Sequence, residues 1–66
     1  MTIVLNGEPA QADADATLQE LLDELGVDAW RVVVEHNARV VRAPDLGSAR
    51  LREGDEVEVV RFVGGG

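Results

Sequence analysis

Apolar and polar positions along the chain change period several times. In Thr2-Ile3-Val4-Leu5 they alternate, with Ile3 and Leu5 on one face and Thr2 and Val4 on the other, as in a short strand. Asn6-Gly7 follows, a pair suited to a type I′ turn, which needs positive φ at both central positions. Residues Glu8 to about Ala12 should therefore return antiparallel, and Pro9 suits an edge strand because it has no amide proton to donate. The period then becomes helical. Leu18, Leu21, Leu22 and Leu25 recur at i, i+3, i+4 and i+7, one apolar stripe. Thr17 and Glu20 have the spacing of a capping box, and Gly26 supplies a left-handed C-cap. Asp23 and Glu24 fall near the negative end of the helix dipole and read as a solvated face.

Alternation resumes at Arg31. Val32 and Val34 share one face, Val33 and Glu35 the other, and a turn near His36-Asn37 predicts a second hairpin. In its return strand the pattern does not decide which of Val40 and Val41 faces inward. Ala43 to Arg50, with Pro44, Asp45, Gly47 and Ser48, reads as a loop or short irregular turn. A turn at Arg52–Glu56 leads into a last alternating strand ending at Val63. One helix cannot hide its own stripe, so it packs across one face of a sheet. With the last strand paired centrally beside the first, this predicts an α+β fold: a mixed sheet of four to five strands on one helix, resembling the β-grasp, or ubiquitin-like, fold. The expected core is Ile3, Leu5, Leu18, Leu21, Leu22, Leu25, Val32, Val34, Leu51, Val57 and Val59. Residues 1–63 are expected to form a single domain, with 64–66 a flexible glycine tail.

Composition narrows the function. A chain of 66 residues has room for one modest core and none for a deep, walled cleft. It has no cysteine, hence no disulfide framework, zinc thiolate or thiol nucleophile, which fits a reducing cytoplasmic setting. No apolar run approaches membrane-spanning length. Seven acids and no Arg or Lys lie between Met1 and Trp30, whereas the six arginines and six remaining acids cancel beyond it. The net charge of −7 therefore belongs to the first half, a poor surface for nucleic acid or anionic membranes. His36, the single histidine, sits beside a turn, where such residues are usually solvated. No nucleophile–base set, metal-ligand spacing or phosphate loop is visible, so no catalytic residue, metal or bound cofactor is expected.

The remaining unusual stretch is Arg61-Phe62-Val63-Gly64-Gly65-Gly66. Three glycines make a bare thread, and Val63 to Gly66 can extend about 13 Å. That reach suits insertion into a narrow channel, with the carboxylate of Gly66 as the reactive group. In the last strand Val57 and Val59 are expected to face the helix. Glu58, Val60 and Phe62 then lie on the open face as a partner-docking patch.

Val4-Leu5-Asn6-Gly7-Glu8, Thr17 to Leu22, Val33 to Asn37, and Gly54 to Val60 running into Phe62-Val63-Gly64-Gly65-Gly66 together resemble the ThiS family of sulfur carriers in thiamine biosynthesis. The resemblance spans the whole chain. It implies a protein cosubstrate rather than an enzyme. A ThiF-type, E1-like adenylyltransferase would consume ATP to activate Gly66. Gly64 and Gly65 would thread its active site. A sulfur donor such as a cysteine desulfurase would then convert the end to a thiocarboxylate for a ThiG-type thiazole synthase. The small subunit of molybdopterin synthase, other β-grasp carriers, a plain interaction module and a protein-conjugating modifier are alternatives. The loop Arg42 to Leu51 lacks the aromatic residue frequent in the family.

Overall fold

The computed structural model describes residues 1–62. Strands β1 (Thr2–Leu5) and β2 (Glu8–Gln11) precede helix α1 (Leu18–Leu25), followed by β3 (Val32–His36), β4 (Arg39–Val41) and β5 (Glu56–Arg61). One five-stranded sheet results, in the order β2-β1-β5-β3-β4. The last strand is thus central, parallel to β1 and antiparallel to β3. Pro9 lies in edge strand β2, opposite Val4, where its missing donor costs no ladder bond to a further strand.

Local chemistry fixes the element ends. Asn6 and Gly7 both adopt positive φ, 50° and 83°, closing β1 onto β2. The Thr17 hydroxyl accepts from the Glu20 amide (3.1 Å), and the Glu20 carboxylate accepts from the Thr17 amide (2.9 Å), the reciprocal capping box. Gly26 ends α1 in the left-handed region at φ 70°. The second hairpin turns at Asn37-Ala38, both at positive φ, one residue beyond the expected His36-Asn37.

The core contains eleven buried residues, all apolar: Ile3, Ala12, Ala16, Leu18, Leu21, Leu22, Val32, Val34, Leu46, Leu51 and Val57. Two expectations need correction. Leu25, at the end of the helical stripe, is 44% exposed. Leu46, in the segment read as a loop, is fully buried. A 3-10 helix over Ala43–Ser48, with Pro44 in its first turn, turns Leu46 inward to join the face beneath α1. Leu5 and Val59 pack against this core while only partly buried.

Three polar side chains tie the two turns at one end of the sheet. His36 Nε2 lies 2.7 Å from Asp55 Oδ2. An ionised carboxylate only accepts, so the proton is on Nε2. Asp55 also accepts from Asn37 Nδ2 (3.2 Å) and from the Arg52 amide (2.9 Å), and the Glu56 amide donates to Asn37 Oδ1 (2.9 Å). His36, read from sequence as a solvated turn residue, is instead half-buried in a clamp. Partial burial pushes the Asp55 carboxyl up. Hydrogen bonds from His36, Arg52 and Asn37, with the charge of His36, outweigh that and hold it below the usual value.

Two outcomes follow from this packing. Leu46→Ala should cost about 2–5 kcal/mol, since it removes a fully buried side chain, measured by denaturant unfolding. Asp55→Asn should cost about 1–3 kcal/mol at neutral pH by weakening charge-assisted bonds. Because the folded-state pKa lies below the unfolded value near 3.9, the Asp55 contribution is complete above that pH. It is lost as pH falls through the folded pKa. The stability gap between wild type and Asp55→Asn should therefore shrink below about pH 4. A gap that stayed constant into acid would remove Asp55 ionisation from the account.

Candidate partner-docking face

Side-chain alternation divides β5 between the two faces of the sheet. Val57 and Val59 turn toward α1, while Glu58, Val60 and Phe62 are exposed, as the pattern predicted. The cross-strand register shows what accompanies them. Val60 lies opposite Val33, Glu58 opposite Glu35, and Glu35 opposite Val40 on its other side. The open face thus carries an apolar pair beside a carboxylate pair, with Val40 at the far edge.

A second element adds an aromatic group. Residues Ala29–Arg31 form one 3-10 turn, started by the Asp28 carboxylate accepting from the Trp30 amide (2.9 Å). The Phe62 amide donates to the Arg31 carbonyl (3.2 Å), which brings this turn against the end of β5. Trp30 is 72% exposed, Phe62 61%, Val40 60% and Val60 57%. A groove of about 340 Å³ runs between Trp30, Val33, Val40, Pro44 and Phe62. Large apolar side chains grouped in this way on a small domain make this a candidate interaction surface.

The electrostatics of the face are one-sided. Arg39 and Arg61 stand opposite His36 and Val32, register positions on the helix side of the sheet. Among the described residues, ion pairs join only Asp28 to Arg31 and Asp55 to His36. Glu35 and Glu58 therefore face one another without a cation, an arrangement that weakens a sheet by roughly 0.2–1 kcal/mol. A partner presenting an apolar ledge beside an arginine or lysine would relieve that repulsion.

The structure brings Glu58, Val60 and Phe62 to one face, at the base of the terminal segment. Gly64, Gly65 and Gly66 lie outside the described residues. Sequence reading missed Trp30, Val33 and Val40 as members of the face. Val33 was legible from the alternation of its strand. Val40 was ambiguous in a three-residue strand, and Trp30 lies in a turn without periodicity. Among the described residues no group of three His, Asp or Glu side chains is placed to hold a metal, and no helix is long and apolar enough to cross a membrane.

Comparison with known proteins agrees with this architecture. The family model described as "ThiS family" matches residues 3–66. Proteins named thiazole synthase from Magnetococcus marinus and Paramagnetospirillum magneticum are 48% and 41% identical to the chain over 66 residues. The match takes in 100% of this chain but 20% of each of those proteins, so the chain spans a fifth of their length. A protein named sulfur carrier protein ThiS from Thermus thermophilus is 40% identical over 62 residues, covering 94% of this chain and 95% of that one. The crystal structure of a thiamine biosynthesis protein (ThiS) from Geobacter metallireducens aligns over 100% of both chains, with TM-score 0.86 and 35% identity.

The docking reading has a direct test. Val60→Ala with Phe62→Ala should weaken binding to the E1-like adenylyltransferase expected from the sequence at least tenfold, since central aromatic and aliphatic contacts carry most of an interface's energy. Both side chains are exposed, so the melting temperature should fall by only a few degrees. Trp30→Ala should behave alike. Unchanged affinity measured by calorimetry, with a collapsed melting temperature, would place these residues in the fold instead.

Proposed function

Because the chain belongs to the ThiS family, we propose that it is a sulfur carrier for thiamine biosynthesis, acting through the carboxylate of Gly66. The observation that carries this reading is the apolar strip of Val60, Phe62 and Trp30, which leads along the central strand to the glycine segment. The described residues supply a rigid handle, and the chemistry is left to the segment beyond it.

A carboxylate is a poor electrophile and needs a leaving group. In the proposed sequence a carboxylate oxygen of Gly66 attacks the α-phosphorus of ATP on an E1-like adenylyltransferase of the ThiF type, and pyrophosphate departs. The terminal sulfur of a persulfide, furnished by a donor such as a cysteine desulfurase, then displaces AMP. A thiol cleaves the resulting acyl disulfide, leaving a thiocarboxylate. A thiazole synthase of the ThiG type accepts that sulfur. The two relatives named thiazole synthase, which match this chain over a fifth of their length, support that partner. The carrier is a cosubstrate, and ATP is consumed by the activating enzyme. Gly64 and Gly65 keep the thread narrow, and Glu58, Val60 and Phe62 dock the handle.

Incubating the chain with ATP, the adenylyltransferase and a sulfide source should replace one oxygen by sulfur in the intact mass. Deleting Gly66 should abolish that change without altering the melting temperature. Gly65→Ala adds one methyl group to the thread. In a tight channel a misfit of that size costs on the order of 1–3 kcal/mol, a roughly ten- to hundredfold fall in adenylation. ATP–pyrophosphate exchange measures it. Full exchange by Gly65→Ala would contradict a steric thread, and sulfur incorporation without Gly66 would end the proposal.

A further inference from the structure

The central strand is not central along its whole length. Ladder pairing between β1 and β5 covers Val4 with Glu56 and Leu5 with Val57, and there β1 stops. On the other flank β3 accompanies β5 to Arg61. Backbone groups of β5 point alternately to its two flanks. Those of Glu56 and Phe62 point to the β3 side, since the Asn37 amide donates to the Glu56 carbonyl and the Phe62 amide donates to the Arg31 carbonyl. Those of Val57, Val59 and Arg61 therefore point to the β1 side. Val57 uses its carbonyl to accept from the Asn6 amide, and the Val59 amide donates to Asn6 Oδ1 (2.8 Å). The asparagine side chain thus stands in for the next backbone carbonyl. Beyond it the Val59 carbonyl, the Arg61 amide and the Arg61 carbonyl have no protein partner among the described residues.

The same end of the molecule is short of apolar cover. Gly26 and Val27, which follow α1, line a cleft together with Arg61 and Phe62, so the end of the helix adjoins the end of β5. Leu25, the last member of the helical stripe, is 44% exposed, and Val59 on the helix side of the sheet is only partly buried. Val59 thus combines a free ladder carbonyl with an incompletely covered side chain just past the point where β1 stops.

We infer that this slot receives an extended segment of the thiazole synthase, which adds as a strand beside residues 59–61 of β5. The inference rests on the functional reading above. An acceptor, a donor and an acceptor at strand spacing match polypeptide backbone, the chemistry of strand addition. Val59 and Arg61 both face the helix side, so the incoming segment should present an apolar side chain opposite Val59 and, two residues along, an acidic one opposite Arg61. A second copy of this chain fits poorly. Its own slot carries Arg61, while Arg31 in the adjoining cleft is already paired with Asp28 (3.6 Å), and like charges opposed across a ladder repel.

The experiment uses the intact chain and the thiazole synthase of the same organism. In the free chain the Arg61 amide should exchange its hydrogen at least tenfold faster than that of Phe62, which is bonded. In the complex it should slow at least tenfold. Arg61→Pro removes that amide proton without removing an internal hydrogen bond, and fills the edge with the ring. It should weaken synthase binding at least tenfold. Arg61→Ala keeps the amide and should lose less than about fivefold, the size of a cross-strand charge pair. An Arg61 amide that stays unprotected in the complex, or Arg61→Pro binding as tightly as wild type, overturns the inference. Should Arg61→Pro fail to fold, exchange in the wild-type complex decides alone. A wild-type chain that does not bind the synthase at all overturns the functional reading beneath it.

Discussion

The placement of β5 between β1 and β3 is the constraint on which the rest depends. It joins the last strand to the first by parallel pairing and to the third by antiparallel pairing. Neither contact is local in sequence, so both must repay the entropy of closing long loops. The repayment comes from Val57, fully buried and part of one apolar cluster with Ile3, Val34 and the helical leucines. The polar clamp adds to it: Asp55 and Asn37 fix where β5 begins relative to the β3–β4 turn. A slip of one residue would exchange the two faces of β5. Val57 would meet solvent, and Glu58 would enter a core that contains no polar side chain.

Register therefore determines the exposed apolar face as well as the core. With Val57 inward, Val60 and Phe62 must be outward, and pairing with β3 places Val33 beside Val60. The apolar strip consequently leads to the segment that follows Arg61. An apolar strip built on a strand resists displacement better than one on a loop, because moving it breaks the ladder bonds that tie β5 to β3 as far as Arg61.

Much of this was legible in the sequence because short-range chemistry dictated it. Asn6-Gly7, Thr17 with Glu20, and Gly26 mark their elements by hydrogen bonds or φ requirements that involve only near neighbours. Alternation in β3 and β5 set both faces. What could not be read depended on tertiary neighbours. Leu46 lies in a segment whose Pro, Asp, Gly and Ser signal a loop, and its burial follows from where the 3-10 turn crosses beneath α1. Leu25 obeys the helical period yet is exposed, because the period says which face a residue occupies and not whether the sheet extends far enough to cover it. The His36–Asp55 pair joins residues nineteen positions apart, and a single sequence carries no signal for such a partnership. The glycine segment was conspicuous by composition, and the chemistry proposed for it depends on a partner.

The charge distribution answers a problem that the exposed apolar face creates. Exposing Trp30, Val40, Val60 and Phe62 on a domain this small invites association between copies. An edge strand as short as β4, with three residues, limits sheet-to-sheet pairing but does nothing for the face itself. The Glu35–Glu58 pair does. When two copies approach face to face, four carboxylates without cations are brought together beside the apolar strips, and their desolvation opposes the contact. The net charge of −7 adds longer-range repulsion within roughly a Debye length, about 8–10 Å at physiological salt. A partner with a basic rim experiences the reverse: attraction during approach and relief of the cross-strand repulsion on contact. The same two glutamates that weaken the sheet thus discriminate between a copy and a partner, and specificity explains their position where stability does not.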